Sequence, residues 1–347
     1  MEVGRVDIEG VEVRPLDLGR GVRFDPPFVL APMEGVTHRV FRDLLLDAGG
    51  PGAAWTEFLR VSQVPLRAAA IRRELGPPRA DVPVGVQLMG TDPDVVAETA
   101  KNAVAAGAPM IDLNFGCPAP VVFNKCAGSA MLDHPDRLHA LVAAVARAVE
   151  VPVTAKVRLG TRDASRFEDV VRAVDEAGAA ALTVHARTRA DQYAHPARWE
   201  HLARARAWTR LPLIGNGDVL GWDDAVRMMR ECGVDGVMVG RGALRDPWVL
   251  ARMRARARGA PAPEVGAAQV LAFHARYRDD MLRGGATELG LVGQLKQLYR
   301  RLEVGLPLDA AARTALLRAP NLAALEALVE GLAGAPLSRP SPCSSGT

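Results

Sequence analysis

The chain has 347 residues, 49% of them hydrophobic and 24% charged, with a formal net charge of +3. That composition excludes a largely disordered chain and supports a sizeable core, and the length fits one large domain plus a small one. No stretch approaches the roughly 18 uninterrupted apolar residues of a membrane span. The charge-alternating segment Met1 to Arg23 does not read as a signal peptide, and four cysteines without a CxxC pair make no disulfide framework. A cytoplasmic protein with no membrane contact is the expectation.

Residues 1–24 read as an N-terminal extension. From there, short apolar runs alternate with amphipathic segments. The runs are Val29–Ala31, Ala53–Trp55, Val84–Met89, Met110–Leu113, Val153–Val157, Ala181–Val184, Leu213–Ile214 and Gly236–Val239. The segments between and after them predict helices over His38–Ala48, Arg60–Glu74, Pro93–Ala106, Pro135–Val149, Arg166–Ala177, Arg198–Ala207, Trp222–Glu231 and Pro247–Arg256. Several of these close at a glycine, as at Gly107, Gly178 and Gly233. Strands that alternate with helices imply a parallel sheet, and eight such units imply a (β/α)8 TIM barrel over residues 25–258. An open doubly wound sheet is the alternative, but no GxGxxG turn follows the first strand. The stretch Arg258 to Pro263 reads as a linker. Residues 264–335, rich in Ala, Leu and Arg, predict a small domain of three or four helices, and residues 336–347 a disordered tail.

Polar residues follow almost every strand: Pro32-Met33-Glu34-Gly35, Thr56-Glu57, Gln87, Asn114, Lys156 with Arg158, His185 with Arg187, Asn216-Gly217-Asp218 and Gly240-Arg241-Gly242. In a barrel these share the C-terminal rim, where active sites sit. Charge is uneven along the chain: residues 241–347 hold fifteen basic and nine acidic side chains, an excess suited to a polyanion. Only four of the 43 basic residues are lysine, so a lysine within an apolar strand, Lys156, points to a need for an amine in particular.

The glycine-bearing segments after strands seven and eight suit a phosphate, held by backbone N–H groups and Arg241. The plain alternative is a pair of tight turns. Lys156 and His185 end strands five and six and face the same mouth. Lys156 can form a Schiff base, as barrel aldolases do, or hold negative charge on a reduced flavin. Cys117, in a Gly-Cys-Pro turn after strand four, is a protonated thiol near pH 7 unless perturbed, so it can donate a proton or, with a lowered pKa, act as a nucleophile. Cys126 and Cys232 read as inert buried residues. With seven histidines and no HxH, HExxH or CxxC, no metal site is expected.

The segments Ala31-Pro-Met-Glu-Gly-Val36, Thr56-Glu57, Gln87-Leu88, Asp112-Leu-Asn-Phe-Gly-Cys-Pro118, Ala127-Gly-Ser-Ala-Met131, Lys156 with Val157-Arg-Leu-Gly160, Val184-His-Ala-Arg-Thr188, Gly215-Asn-Gly-Asp218 and Met238-Val-Gly-Arg-Gly-Ala243 occur in this order. Together they resemble the tRNA-dihydrouridine synthases, over roughly residues 29–250. The resemblance implies FMN on the barrel rim. Pro32 and Met33 would line its ring, with Gln87, Lys156 and His185 in contact. Asn216, Gly217, Asp218, Gly240 and Arg241 would surround the ribityl chain and phosphate. It implies NADPH as reductant, a hydride from reduced FMN to C6 of a uridine in tRNA, and a proton from Cys117 to C5. Asn114 and Arg187 would position the base, the helical domain would bind tRNA, and the protein would act as a monomer.

Two details bear on the target nucleotide. Tyr193, with Pro196 and Trp199, resembles the subgroup acting on D-loop position 16, whereas Lys125 within Asn124-Lys-Cys-Ala-Gly-Ser129 resembles another bacterial subgroup. Two competing functions stay open on the residues alone: a Schiff-base aldolase using Lys156, and a non-catalytic tRNA-binding barrel.

Overall fold

The computed structural model describes residues 6–8, 11–119 and 126–337. Lys125 and the tail from residue 338 lie outside the described residues. Short strands open the chain: β1 (Val6–Ile8) pairs antiparallel with β2 (Val11–Val13), and β3 (Leu16–Asp17) with β4 (Arg23–Phe24). The barrel strands follow as β5 (Phe28–Leu30), β6 (Ala54–Trp55), β8 (Val84–Met89), β9 (Ile111–Phe115), β10 (Val153–Arg158), β11 (Ala181–His185), β12 (Leu213–Asn216) and β13 (Gly236–Val239), with β7 (Leu59–Arg60) paired to β8.

All barrel pairings are parallel and the order is β5-β13-β12-β11-β10-β9-β8-β6. A single parallel bridge between Val29 and Ala53 joins the two ends, so the (β/α)8 ring is nearly closed. Strands buried on both faces read as continuous apolar runs rather than alternating ones, which is why these segments are legible in the sequence.

Helices α1 (Arg39–Asp47), α2 (Ala68–Leu75), α3 (Pro93–Ala105), α4 (Pro135–Ala148), α5 (Phe167–Glu176), α6 (Glu200–Trp208) and α7 (Trp222–Cys232) form the outer layer, followed by α8 (Gly242–Arg245) and α9 (Val249–Ala257). Local chemistry explains their ends. The Asp92 carboxylate accepts the N–H groups of Asp94 and Val95, and Pro93 supplies the first helical residue of α3. Gly233 ends α7 in the left-handed region at φ 65°. One expected helix is corrected: Leu59–Arg60 is a strand and α2 starts only at Ala68. Val64-Pro65 intervenes, and the residue before a proline is pushed out of the helical region.

Residues 16–24 close the lower end of the barrel. Leu16, Leu18, Val22 and Phe24 pack with Trp55, Met110, Ile214 and Met238, and the Phe24 ring meets Trp55 edge-on at 5.7 Å. Arg20 donates to the carbonyls of Val149 and Val151 at 2.9 and 3.2 Å.

Beyond the barrel lie α10 (Ala267–Arg283), α11 (Glu288–Tyr299), α12 (Ala310–Arg318) and α13 (Leu322–Ala333). Thr287, Asp309 and Asn321 cap the last three through their side chains. Helix α10 packs on α1 through Phe41, Phe273 and Tyr277, and the His38 imidazole meets the Tyr277 hydroxyl at 2.9 Å. Among the described residues no helix is long and apolar enough to cross a membrane.

Candidate active site

Period-two alternation decides which strand residues enter the barrel. Gln87, Asp112 and Thr154 share one row of adjacent strands, and Asn114 and Lys156 pair in the row above. At the C-terminal mouth these rows open into a cavity of about 560 Å³, within the range of cofactor sites. Pro32, Met33, Asn114, Cys117, Lys156, His185, Asn216, Gly217, Asp218, Gly240 and Arg241 all line it. The structure therefore brings together residues from six strand ends. Gln87 and Arg187 do not line the cavity; Gln87 lies buried beneath Asn114, and Arg187 lies buried behind Asp218 and His185.

Asn114 builds the turn that carries the thiol. Its Oδ1 accepts the N–H groups of both Gly116 and Cys117 at 2.9 Å. The Cys117 carbonyl accepts from the Ser129 hydroxyl at 2.8 Å. Cys117 is 7% exposed, and its Sγ lies 4.0 Å from the Glu34 carboxylate, which pairs with Arg60 at 2.9 Å. Burial pushes the Cys117 thiol up, Glu34 adds to the effect, and Arg60 and Arg158 oppose it. The group is a thiol at neutral pH, fit to give a proton rather than to attack as a thiolate. Cys126, expected to be buried, is exposed, with φ 57°; it sits in the turn that leads into the Gly128–Asp133 3₁₀ helix.

Lys156 and His185 face each other's electrostatics. Burial, with Arg158 adding to it and Asp112 opposing, pushes the Lys156 amine down to about 8. Among the described residues no carboxylate forms an ion pair with it; the oxygens of nearby Asp112 accept from Thr154 and Gln87 at 2.6 Å. Burial, reinforced by Arg158, Lys156, Arg187 and Arg241, holds the His185 imidazole well below its ordinary value, so it is neutral at pH 7.

The far end of the cavity is built by two glycine loops. Gly217 adopts φ 121°, and a Cβ there would lie 2.8 Å from Ala197, so only glycine fits. Gly240 faces Ala31 and the Met33 sulfur, and a Cβ there would sit 3.7 Å from each, narrowing the cavity. Asp218 accepts from Arg187 at 2.7 Å and from Arg241 and the Ala197 N–H at 2.8 and 2.7 Å. Burial works against its ionisation, but these partners outweigh it and hold the carboxyl below its ordinary range.

Among the lining residues without an assigned role in the sequence reading are Arg158, Tyr193, Gln297 and Arg301. Arg158 donates to the carbonyls of Gly116 and Thr188 at 2.7 and 3.1 Å. Tyr193, 55% exposed, lies with its ring centroid 4.5 Å from the Arg241 guanidinium and 5.8 Å from that of Arg158. Gln297 at the end of α11 and Arg301 just beyond it reach the cavity from the helical segment. Position two after Lys156 signals Arg158, because both fall on one face of a strand. Nothing in the pattern of α11 signals Gln297 or Arg301.

The barrel and its cationic, thiol-bearing mouth define a (β/α)8 protein with a cofactor-sized reaction chamber. The family model for dihydrouridine synthase (Dus) matches residues 29–303, and the chain belongs to that family. It is 43% identical over 244 residues to a tRNA-dihydrouridine(16) synthase of Aquipseudomonas alcaligenes, covering 68% of this chain and 77% of the relative. It is 38% identical over 314 residues to one from Cupriavidus necator, covering 88% of this chain and 97% of the relative. Among solved structures, histamine dehydrogenase from a Rhizobium species superposes with TM-score 0.57 at 15% identity. That likeness covers 71% of this chain and 48% of the dehydrogenase, and it shows the barrel fold.

Proposed function

We propose that the protein reduces uridine to 5,6-dihydrouridine in tRNA, using FMN as resident cofactor and NADPH as its reductant, with position 16 of the D-loop as target. The observation that carries this reading is that a protonated thiol, Cys117, and a buried amine, Lys156, that forms no ion pair among the described residues line one cavity. The cavity fits the cofactor in volume and donor set. Pro32 and Met33 give it an apolar wall, and Gly240 leaves open the space that a Cβ would fill.

Lys156, His185, Pro32 and Met33 would hold the ring, and Asn216, Gly217, Gly240 and Arg241 the ribityl phosphate, with Gln87 supporting from beneath. When bound, FMN supplies the reducing equivalent for the C5–C6 bond. The chain's own groups do the rest. Lys156, cationic below about pH 8, offsets negative charge at the cavity centre. His185 is neutral and can hydrogen-bond without adding charge. Asp218 fixes Arg241 at the phosphate end, with Arg187 acting through it. Cys117 holds the proton for C5, and Asn114 keeps it in place. A uridine in folded tRNA reaches such a mouth only when extruded. The basic residues from 241 onward supply phosphate contacts that weaken as salt rises; their excess lies in residues 241–263, with six basic side chains and one acidic, while the helical segment 264–335 holds eight of each. We take the protein to act as a monomer in the cytoplasm.

The test is Cys117→Ala. Loss of a general acid costs about 10²–10⁴-fold in turnover. The variant is expected to purify yellow, be bleached by NADPH and leave position 16 of tRNA unreduced in a strain lacking the wild-type protein. Full dihydrouridine content at that position would overturn the role of the thiol.

A further inference from the structure

Beneath the cavity, three polar side chains form one hydrogen-bonded line. The Gln87 amide nitrogen donates to Asp112 Oδ2 at 2.6 Å, and its oxygen accepts from the Asn114 amide nitrogen at 2.8 Å. Asn114 Oδ1 then accepts the N–H groups of Gly116 and Cys117. The other oxygen of Asp112 accepts from the Thr154 hydroxyl at 2.6 Å. Gln87 is fully buried and Asp112 nearly so.

An amide has a donor end and an acceptor end, whereas an ionised carboxylate only accepts. Asp112 therefore dictates which way Gln87 faces. Gln87 dictates which way Asn114 faces. The line ends on two backbone N–H groups, which cannot turn round. A buried donor set against a donor leaves both unsatisfied, which makes the wrong orientation costly.

We propose that Asp112 is a positioning residue: by setting the direction of the line Asp112–Gln87–Asn114 it holds the turn that carries the Cys117 thiol. Burial raises the Asp112 carboxyl to about 6, so at pH 7 and above it is mostly the acceptor that the line requires. The catalytic consequence rests on the reading of Cys117 as proton donor; the order of the turn does not.

Isosteric exchanges of amide and carboxylate test the direction of the line without changing its shape. In Asp112→Asn, Thr154 keeps the shorter of its two bonds, donating to the remaining oxygen at 2.6 Å rather than to the Ile111 carbonyl at 3.4 Å, so the new NH2 group faces Gln87. Gln87 and Asn114 then turn round, and a donor meets the N–H groups of residues 116 and 117. In Asn114→Asp, two acceptors meet at Gln87. The double variant Asp112→Asn/Asn114→Asp reverses both side-chain bonds, yet still presents an acceptor to the turn. Its negative charge moves from the interior to the cavity wall, in the row it shares with Lys156.

Hydrogen exchange of the peptide holding Gly116 and Cys117, in the flavin-loaded protein, reads the turn directly. Each single variant is expected to exchange there about tenfold faster than wild type, and the double variant within about threefold of it, a coupling on the scale of contacting residues. In Asp112→Asn, altered below the cavity wall, kcat/KM on unmodified tRNA is expected to fall with the loss of protection; variants that alter Asn114 are read by exchange alone, because that side chain lines the cavity. Exchange in the double variant as fast as in the faster single variant would overturn the proposal. Should a single variant fail to fold, judged by its melting curve, the double variant against wild type decides: protection retained supports the reversed line, protection lost refutes it. Cys117→Ala with undiminished activity would instead refute the proton-donor reading and leave the exchange result standing.

Discussion

The two ends of this barrel use the same strands for opposite purposes. At the lower end, residues 16–24 bury Phe24 against Trp55, Met110 and Met238 in an apolar plug. At the upper end, four of the same strands terminate in the Cys117 turn, Lys156 with Arg158, His185 and Asn216, which help surround an open cavity. The lower end gains stability from area removed from water. The upper end buries cations close together, and burial first, with the neighbouring cations adding to it, depresses an amine and an imidazole. With stability seated at one end and reactive groups at the other, the fold and its mouth can be altered separately.

The largest separation is expected at the plug. Phe24→Ala removes a fully buried ring and should cost about 3–5 kcal/mol of stability. Denaturant unfolding would register that loss, while turnover per folded molecule stays near wild type. A matching loss of turnover would break the division between the ends. At the mouth, Asp218→Asn removes the charge that Arg187 and Arg241 share. It should weaken retention of FMN about tenfold, the scale of one charged hydrogen bond, and shift the melting temperature little. Equilibrium dialysis against FMN measures it, and unchanged retention would detach Asp218 from the phosphate end.

The smallest effect is a pH dependence. The Lys156 amine sits near 8 when folded and near its ordinary 10.5 when unfolded, so the unfolded chain binds the proton more tightly between those values. Burying the cation costs stability below about pH 8, and that cost disappears as pH rises from about 8 to 10.5. In flavin-free protein, the stability of wild type relative to Lys156→Met should therefore climb across this window. A flat difference would place the amine in solvent.

What was legible in the sequence follows from the same contrast. The barrel strands declare themselves because burial on both faces makes them continuous apolar runs, as in Val84–Met89 and Ala181–His185. The short strands of the plug do not, since two or three residues such as Leu16–Asp17 carry no period. Cys117, Lys156 and His185 are readable as a set because each ends or follows a strand, and all strand ends of a parallel barrel share one rim. Depth along the barrel axis is not readable, so Gln87 and Arg187 look equivalent to the lining residues although both lie behind them. The face that α11 turns to the mouth depends on how α10 seats against α1 through Phe41 and Phe273, a long-range contact invisible in local pattern.

Gln297 and Arg301 give that last point its weight. Because part of the chamber wall belongs to the segment beyond the linker, the chain cannot be cut there into a catalytic piece and a recognition piece. Any tilt of those helices against α1 reshapes the chamber itself, so the seating of the helical segment and the fit of whatever occupies the cavity are mechanically one variable.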